Sequence, residues 1–179
     1  ITITTATGAS TITTKDGGAG NNLTVTGNID TATGALTIDV GTGLFTRNNG
    51  DTITNSGGLT VTADTVDLGS VADEINITGA VVIQPDTVGQ TVGLSGGAGD
   101  FSIDTDEIEV INGANATSVT IGRTDGTGQV TVAADEYDFA ALTIAGGNID
   151  VEGALTTTND TALTLDGDGI DQTTATSTI

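Results

Sequence analysis

The chain has 179 residues, with 3 lysines and arginines against 24 aspartates and glutamates, which gives a formal net charge of −21. It contains no cysteine, histidine, methionine or tryptophan. These counts exclude a disulfide framework, a zinc centre built on Cys or His, and a nucleophile–base pair that uses either residue. The acidic charge opposes nucleic acid and anionic membranes as partners, and the sequence has no apolar run long enough to span a bilayer.

A short apolar–polar–apolar motif recurs along the whole chain and defines the predicted strands. Because side chains alternate between the two faces of a strand, the motif places its apolar pair on one face. Threonine makes up about a fifth of the residues, and with Val and Ile it favours strands, whereas helix content is expected to be close to nil. Clusters of Gly, Asn, Asp and Ser separate the copies and favour turns. In chain order the predicted strands contain residues 1–3, 23–25, 36–38, 59–61, 66–68, 75–77, 81–83, 101–103, 119–121, 130–132, 142–144, 149–151 and 163–165.

Two internal repeats predict how these strands are arranged. The Gly-Gly-Ala-Gly segment at 17–20 recurs at 96–99, and the pattern of residues 27–37 recurs at 147–156. Both offsets are near multiples of about 20 residues, which favours a parallel β-helix (β-solenoid) over an antiparallel sandwich. We therefore predict an all-β single domain over residues 1–179, with about nine coils of roughly 20 residues.

The segment from Val81 to Ala134 carries a resemblance to a known family. Val81-Val82-Ile83-Gln84-Pro85 leads to Phe101-Ser102-Ile103 and ends in Gly128-Gln129-Val130-Thr131-Val132. This succession resembles the repeats of filamentous haemagglutinin-like large exoproteins of bacteria, as do residues 153–165. The resemblance implies a right-handed parallel β-helix that is exported to the cell surface or the extracellular space and serves in adhesion or in surface fibres.

Two acidic segments are candidate calcium sites, because Ca²⁺ prefers several carboxylate and carbonyl oxygens. Asp166, Asp168 and Asp171 form the better candidate, with three carboxylates on a Gly-containing turn. That segment lacks the later Glu of an EF-hand loop. The second segment contains Asp100, Asp104, Asp106, Glu107 and Glu109, for which a solvated acidic edge on alternating strand positions is the favoured interpretation. No other cofactor is expected.

Other activities receive less support from the residues present. Paired carboxylates cleave polysaccharides in some β-helices, but the only cations are Lys15, Arg47 and Arg123, on unrelated stretches. Each cation is expected to pair with a nearby acid, as Arg123 with Asp125, so an enzyme is not expected. Thr-x-Thr pairs occur at irregular spacing, which favours exposed strand threonines over an ice-binding lattice. The aromatic residues Phe45, Phe101, Tyr137 and Phe139 are expected in the core or at its ends.

The two ends of the chain favour a structural role. Ile1 and Ile3 at one end, and Thr178 and Ile179 at the other, are typical of strands without a cap. The first residue is not Met, which indicates a mature product or an internal piece of a longer polypeptide. We therefore expect a fibre or adhesin shaft that self-associates head to tail or continues in a longer chain. The alternative is a calcium- or carbohydrate-binding adhesin module with a glycan or cell-surface ligand.

Overall fold

The chain winds into a parallel β-solenoid of about seven turns. The computed structural model describes residues 3–4, 8–14, 21–113, 115–158 and 162–173. The described strands lie on three faces, which we number in their order along a turn. The all-β parallel fold predicted from the alternating pattern is therefore confirmed.

The first face is a stack in which each turn pairs with the turn before it. One inward column of this stack is fully buried along the middle of the rod, because parallel register places equivalent apolar positions directly above one another. This column contains Ile38, Val61, Ile83, Ile121 and Ile144. From one end to the other, the strands of the first face are β2 (Ser10–Thr13), β5 (Leu36–Arg47), β7 (Leu59–Asp67), β9 (Ala80–Gln84), β12 (Ser118–Gly122), β15 (Ala141–Ala145) and β18 (Ala162–Asp166).

The second face begins where β5 and β7 turn a corner. Gly41 adopts a φ of 64°, and the pairing of the two strands shifts on either side of it. The second halves of β5 and β7 then stack with β3 (Leu23–Val25). The other strands of the second face are β10 (Val92–Leu94), β11 (Phe101–Ile103), β13 (Val130–Val132), β16 (Asn148–Val151) and β19 (Gly169–Gln172).

The third face is made of short strands in two separate stacks. The first stack contains β1 (Ile3–Thr4), β4 (Ile29–Asp30), β6 (Ile53–Asn55) and β8 (Ile75–Ile77). In the described part of the chain, the ladder continues past β8 through a single bridge between Ile75 and Ile111. The second stack contains β14 (Asp135–Tyr137) and β17 (Leu155–Thr157), which pair with each other.

The expected nine coils are not confirmed, because the turns are longer than the repeat offsets suggest. On the first face, Leu59 pairs with Leu36 of the preceding turn and with Val81 of the following turn, so even a regular turn slightly exceeds the predicted coil. One turn is much longer, since the next partner of Val81 is Val119. This long turn contains both β10 and β11 on the second face, followed by the helix α1 (Thr105–Glu109).

The repeat that links residues 27–37 to residues 147–156 does not mark equivalent positions on different coils. Ile29 lies on the third face, whereas its counterpart Ile149 lies on the second. Leu36 lies on the first face, whereas its counterpart Leu155 lies on the third. The repeat is therefore a strand–turn unit that serves at different corners, and its offset does not measure whole coils.

The four aromatic residues are all buried, as expected. Phe45, Phe101 and Tyr137 are fully covered, and Phe139 is 4% exposed. The rings of Tyr137 and Phe139 stack with their centroids 6.2 Å apart. They fill the core beside β14, next to the interruption of the third face.

Candidate functional site

A groove of about 880 Å³ opens where the two stacks of the third face fail to pair. The first stack contributes Ile111 to one wall, and β14 contributes Asp135 and Glu136 to the other. At one end the walls touch, since a Cβ on Gly113 would lie 2.1 Å from the carbonyl oxygen of Asp138. The ladder therefore splays open from a contact at Gly113, and the groove fills the splayed part.

The groove combines an acidic rim with a small apolar floor. Its carboxylates are Asp73, Glu109, Asp135, Glu136 and Asp138, and among the described residues that line it there is no lysine or arginine. Ile108, Ile111 and Phe139, each at most 4% exposed, are the large apolar side chains of the lining.

The inserted helix α1 forms one side of the groove. Asp104 caps this helix, because its carboxylate accepts from the main-chain N–H of Glu107 at 2.9 Å. The Glu107 carboxylate accepts in return from the N–H of Asp104 at 3.0 Å, which completes a capping box. The segment predicted as an acidic strand edge is thus a short helix, because the two side chains satisfy its first N–H groups.

Glu107 also holds the helix against the second face. Its Oε1 accepts from the main-chain N–H of Leu68 at 2.9 Å. Leu68 directly follows β7. In the described part of the chain, β11 packs beside β7, but the two strands do not pair. Burial raises the pKa of Glu107 above its ordinary value.

A polar network fixes β14 on the other side of the groove. The Ser95 hydroxyl donates to Oδ2 of Asp135 at 2.5 Å and lies 2.8 Å from the hydroxyl of Tyr137. Because Ser95 has a single hydroxyl proton, the Tyr137 hydroxyl is the donor in the second bond. Ser95 has a φ of 56°, so the turn after β10 is held in a left-handed conformation at this point. Neither the network nor the groove was anticipated from the sequence.

Two of the three cations pair with acids, as expected. Arg123 binds both carboxylate oxygens of Asp125, with distances of 2.8 and 2.9 Å. Arg47 is fully buried and forms an ion pair with Glu74. Lys15 lies outside the described residues.

The best predicted calcium ligands do not converge in the structure. Asp166 ends β18, Asp168 lies in the following turn, Asp171 lies in β19, and all three are exposed. Within the described ranges, no group of three or more acidic side chains is placed to hold a metal ion. The second acidic segment is divided, since Asp104 and Glu107 cap α1 and Glu109 faces the groove.

The predicted stacking residues are mostly beyond what the structure describes. Ile1, Thr178 and Ile179 lie outside the described residues. Ile3 lies in β1, where it pairs with Ile29 in parallel register.

The structure aligns many threonines in one outward column, although their spacing in the sequence is irregular. Unequal coil lengths produce the irregular spacing, and register restores a single outward column on the first face. The next outward column is mixed, with Asp39 opposite Thr62 and Thr62 opposite Gln84. The Thr-x-Thr pairs therefore do not continue as a regular array. The threonine column contains Thr11, Thr37, Thr60, Thr120, Thr143 and Thr164, with Val82 between Thr60 and Thr120.

In the described ranges, no helix has the length and apolar character needed to cross a membrane.

Comparison with known proteins finds no relative of this chain. No family model, curated protein or solved structure matches the chain.

Proposed function

We propose that the chain is a length of structural shaft from an extracellular or cell-surface fibre or adhesin. The observation that carries the proposal is the unbroken first face, in which seven strands from β2 to β18 pair in parallel register. Main-chain hydrogen bonds between successive turns run along the rod, so they resist its bending and separation. A continuous aliphatic column beneath them adds burial at every turn.

The charge distribution supports the same role. A net charge of −21 on 179 residues keeps the sides of a rod soluble and opposes lateral association. The resemblance to filamentous haemagglutinin-like exoproteins supports the cell-surface location and a right-handed coil. Both are parts of the proposal.

The end turns support stacking of one rod on another. Ile12 and Leu165 continue the buried column of the first face, but each is only partly covered. At the last turn Ile170 is 50% exposed, whereas Ile149, one turn earlier, is fully buried. A further coil placed on either end would cover these side chains and pair the strand edges.

Negative-stain electron microscopy across a range of protein concentrations tests the proposal. We expect rods that lengthen with concentration, and we expect Leu165→Asp to shorten them. Thr120→Asp is the matched control, because it places the same charge on an outward position of β12, near the middle of the first face. Rods of one constant length, identical in both variants, would rule out stacking.

Glycan-binding measurements, and microscopy with and without a chelator, separate the shaft from the alternative, a calcium- or carbohydrate-binding adhesin module. A discrete monomer with measurable affinity for a glycan would support the module. Rods that fall apart when a chelator is added would show that calcium is bound, for which Asp166, Asp168 and Asp171 of the last turn are the ligands predicted from the sequence.

A further inference from the structure

We propose that the acidic groove binds a cationic, extended peptide segment of a partner protein, which adds as a strand to the open edge of β14. This inference goes beyond the shaft role and does not depend on it. Three properties of the groove lead to it: an edge without a strand partner, an excess of carboxylates and an apolar floor.

The open edge follows from the pairing of β14. Asp135 and Tyr137 direct their main-chain groups to β17, since the Asp135 N–H donates to the carbonyl of Ala154 at 3.0 Å and the Tyr137 carbonyl accepts from the N–H of Thr158 at 3.0 Å. Because main-chain groups alternate in direction along a strand, those of Glu136 point to the opposite edge. Among the described strands, none pairs along that edge.

A side chain occupies part of this edge in the structure. The N–H of Glu136 donates to Oδ1 of Asp135 at 2.8 Å. The Asp135 carboxylate is also held by Ser95. The Glu136 carbonyl is therefore the main-chain acceptor that this edge offers, and a peptide that also bonds to the Glu136 N–H displaces the Asp135 carboxylate from it. Because β14 is already extended and paired with β17, only the peptide has to be ordered when a strand is added.

Charge decides the chemistry of the partner. Five carboxylates line the groove without a described cation, which favours lysine and arginine side chains and opposes nucleic acid and acidic polysaccharide. A second copy of this chain is a poor source of such a strand. Of its three cations, Arg47 is buried against Glu74 and Arg123 is held by Asp125.

The apolar floor adds a second requirement on the peptide. Successive residues of an extended segment point to opposite sides, so alternate residues would face Ile108, Ile111 and Phe139. The residues between them would face the carboxylates. The fitting segment therefore alternates between basic and aliphatic residues.

Fluorescence anisotropy with labelled peptides tests the proposal directly. The probe is a short, end-blocked peptide of alternating lysine and valine. A second probe carries N-methyl groups on alternate backbone nitrogens, which removes the hydrogen bonds but keeps the charge. We expect saturable binding of the first probe at low salt, and at least about tenfold weaker binding of the second. Absence of saturation, or equal binding of both probes, would overturn the proposal.

Matched triple variants locate the site. Asp73→Asn, Glu109→Gln and Glu136→Gln together remove three charges from the groove. Asp73 has a φ of 64°, which asparagine tolerates, so the substitution suits the backbone. The control removes three exposed charges from the last turn, at Asp166, Asp168 and Asp171, each changed to Asn.

The two variants are expected to weaken binding to different extents. At about 0.15 M ionic strength, we expect the groove variant to weaken binding of the lysine–valine peptide by at least about tenfold and the control variant by much less. The control residues lie about two turns from β14, and at this ionic strength charges more than about 8 Å apart are largely screened. Circular dichroism confirms that both fold. Equal losses in the two variants would mean that the peptide senses only the overall charge of the rod, and the groove would be rejected as its site.

Discussion

Glu107 and Leu68 lie far apart in the sequence, yet the carboxylate of Glu107 accepts the main-chain N–H of Leu68 at 2.9 Å. The bond joins the helix inserted in the long turn to the end of β7 on the second face. At this position the Glu107 side chain supplies the hydrogen-bond acceptor that a main-chain carbonyl of the next coil supplies elsewhere in the rod. The irregular turn is therefore joined by hydrogen bonding to its neighbour on the second face, whereas on the third face it is separated from β14 by the groove.

The Glu107 junction predicts a specific pH dependence of stability. Burial raises the folded-state pKa of Glu107, so the folded protein holds this proton more tightly than the unfolded chain. The contribution of the protonated Glu107 carboxyl to the free energy of unfolding is fully present below the ordinary pKa of a glutamate. It is lost as pH rises through the folded-state pKa of Glu107. In urea unfolding at several pH values, we expect Glu107→Gln to lose less stability than the wild type across that range.

The comparison between the two proteins removes the effect of the other carboxylates, which both retain. Parallel stability curves for wild type and Glu107→Gln would contradict the prediction. Glu107→Ala is a second check, because it removes the acceptor of the Leu68 N–H. We expect this substitution to lower the free energy of unfolding by about 1–3 kcal/mol.

The buried ion pair predicts strong coupling between Arg47 and Glu74. Arg47 also donates to the carbonyl of Asp51 at 2.5 Å, and Glu74 accepts from the N–H of Gly50 at 2.7 Å. Arg47→Met leaves the Glu74 carboxylate buried without its cation, which is expected to cost about 3–5 kcal/mol of unfolding free energy. The double variant Arg47→Met, Glu74→Gln should recover a substantial part of that loss.

A double-mutant cycle in urea measures this coupling. The pairing of Arg123 with Asp125 is the matched comparison, since Asp125 is largely exposed. Its disruption should lower the free energy of unfolding much less than disruption of the buried pair, because exposed ions stay hydrated and are screened by salt. Additive effects at Arg47 and Glu74 would show that the buried pair is not coupled.

Tyr137 is the only tyrosine, so its titration can be followed by ultraviolet absorbance without interference. Burial raises its pKa to about 12, from an ordinary value of about 10. Its contribution to stability is present below pH 10 and is lost as pH rises toward 12. We expect tyrosinate to appear near pH 12 in the folded protein and near pH 10 in urea.

The hydroxyl of Tyr137 can also be removed. Tyr137→Phe eliminates the hydrogen bond to Ser95 and should lower the free energy of unfolding by about 0.5–1.5 kcal/mol. Phe139→Leu leaves that bond intact, so Tyr137 should keep its high pKa in this variant. Ultraviolet titration and urea unfolding measure the two effects. A tyrosinate transition near pH 10 in the folded protein would contradict the buried position of the ring.

Local pattern was sufficient to predict most of the strands. The apolar–polar–apolar groups at 36–38, 59–61, 119–121 and 142–144 all lie in strands with the apolar pair inward. Alternation determines which side chains point inward because it is a property of a single strand. The strands that escaped prediction, such as β4 and β14, have too few apolar residues to show the pattern.

The sequence by itself determined an acidic, aliphatic-cored parallel solenoid without cysteine or histidine chemistry. Only the tertiary structure decided which strand neighbours which, because register depends on hydrogen bonds between turns of unequal length, as the pairing of Val81 with Val119 shows. Ile29 and Ile149 have the same local sequence and lie on different faces for this reason. The same applies to the groove: its walls come from α1, Ile111 and β14, and only the splaying of the third face brings their carboxylates together.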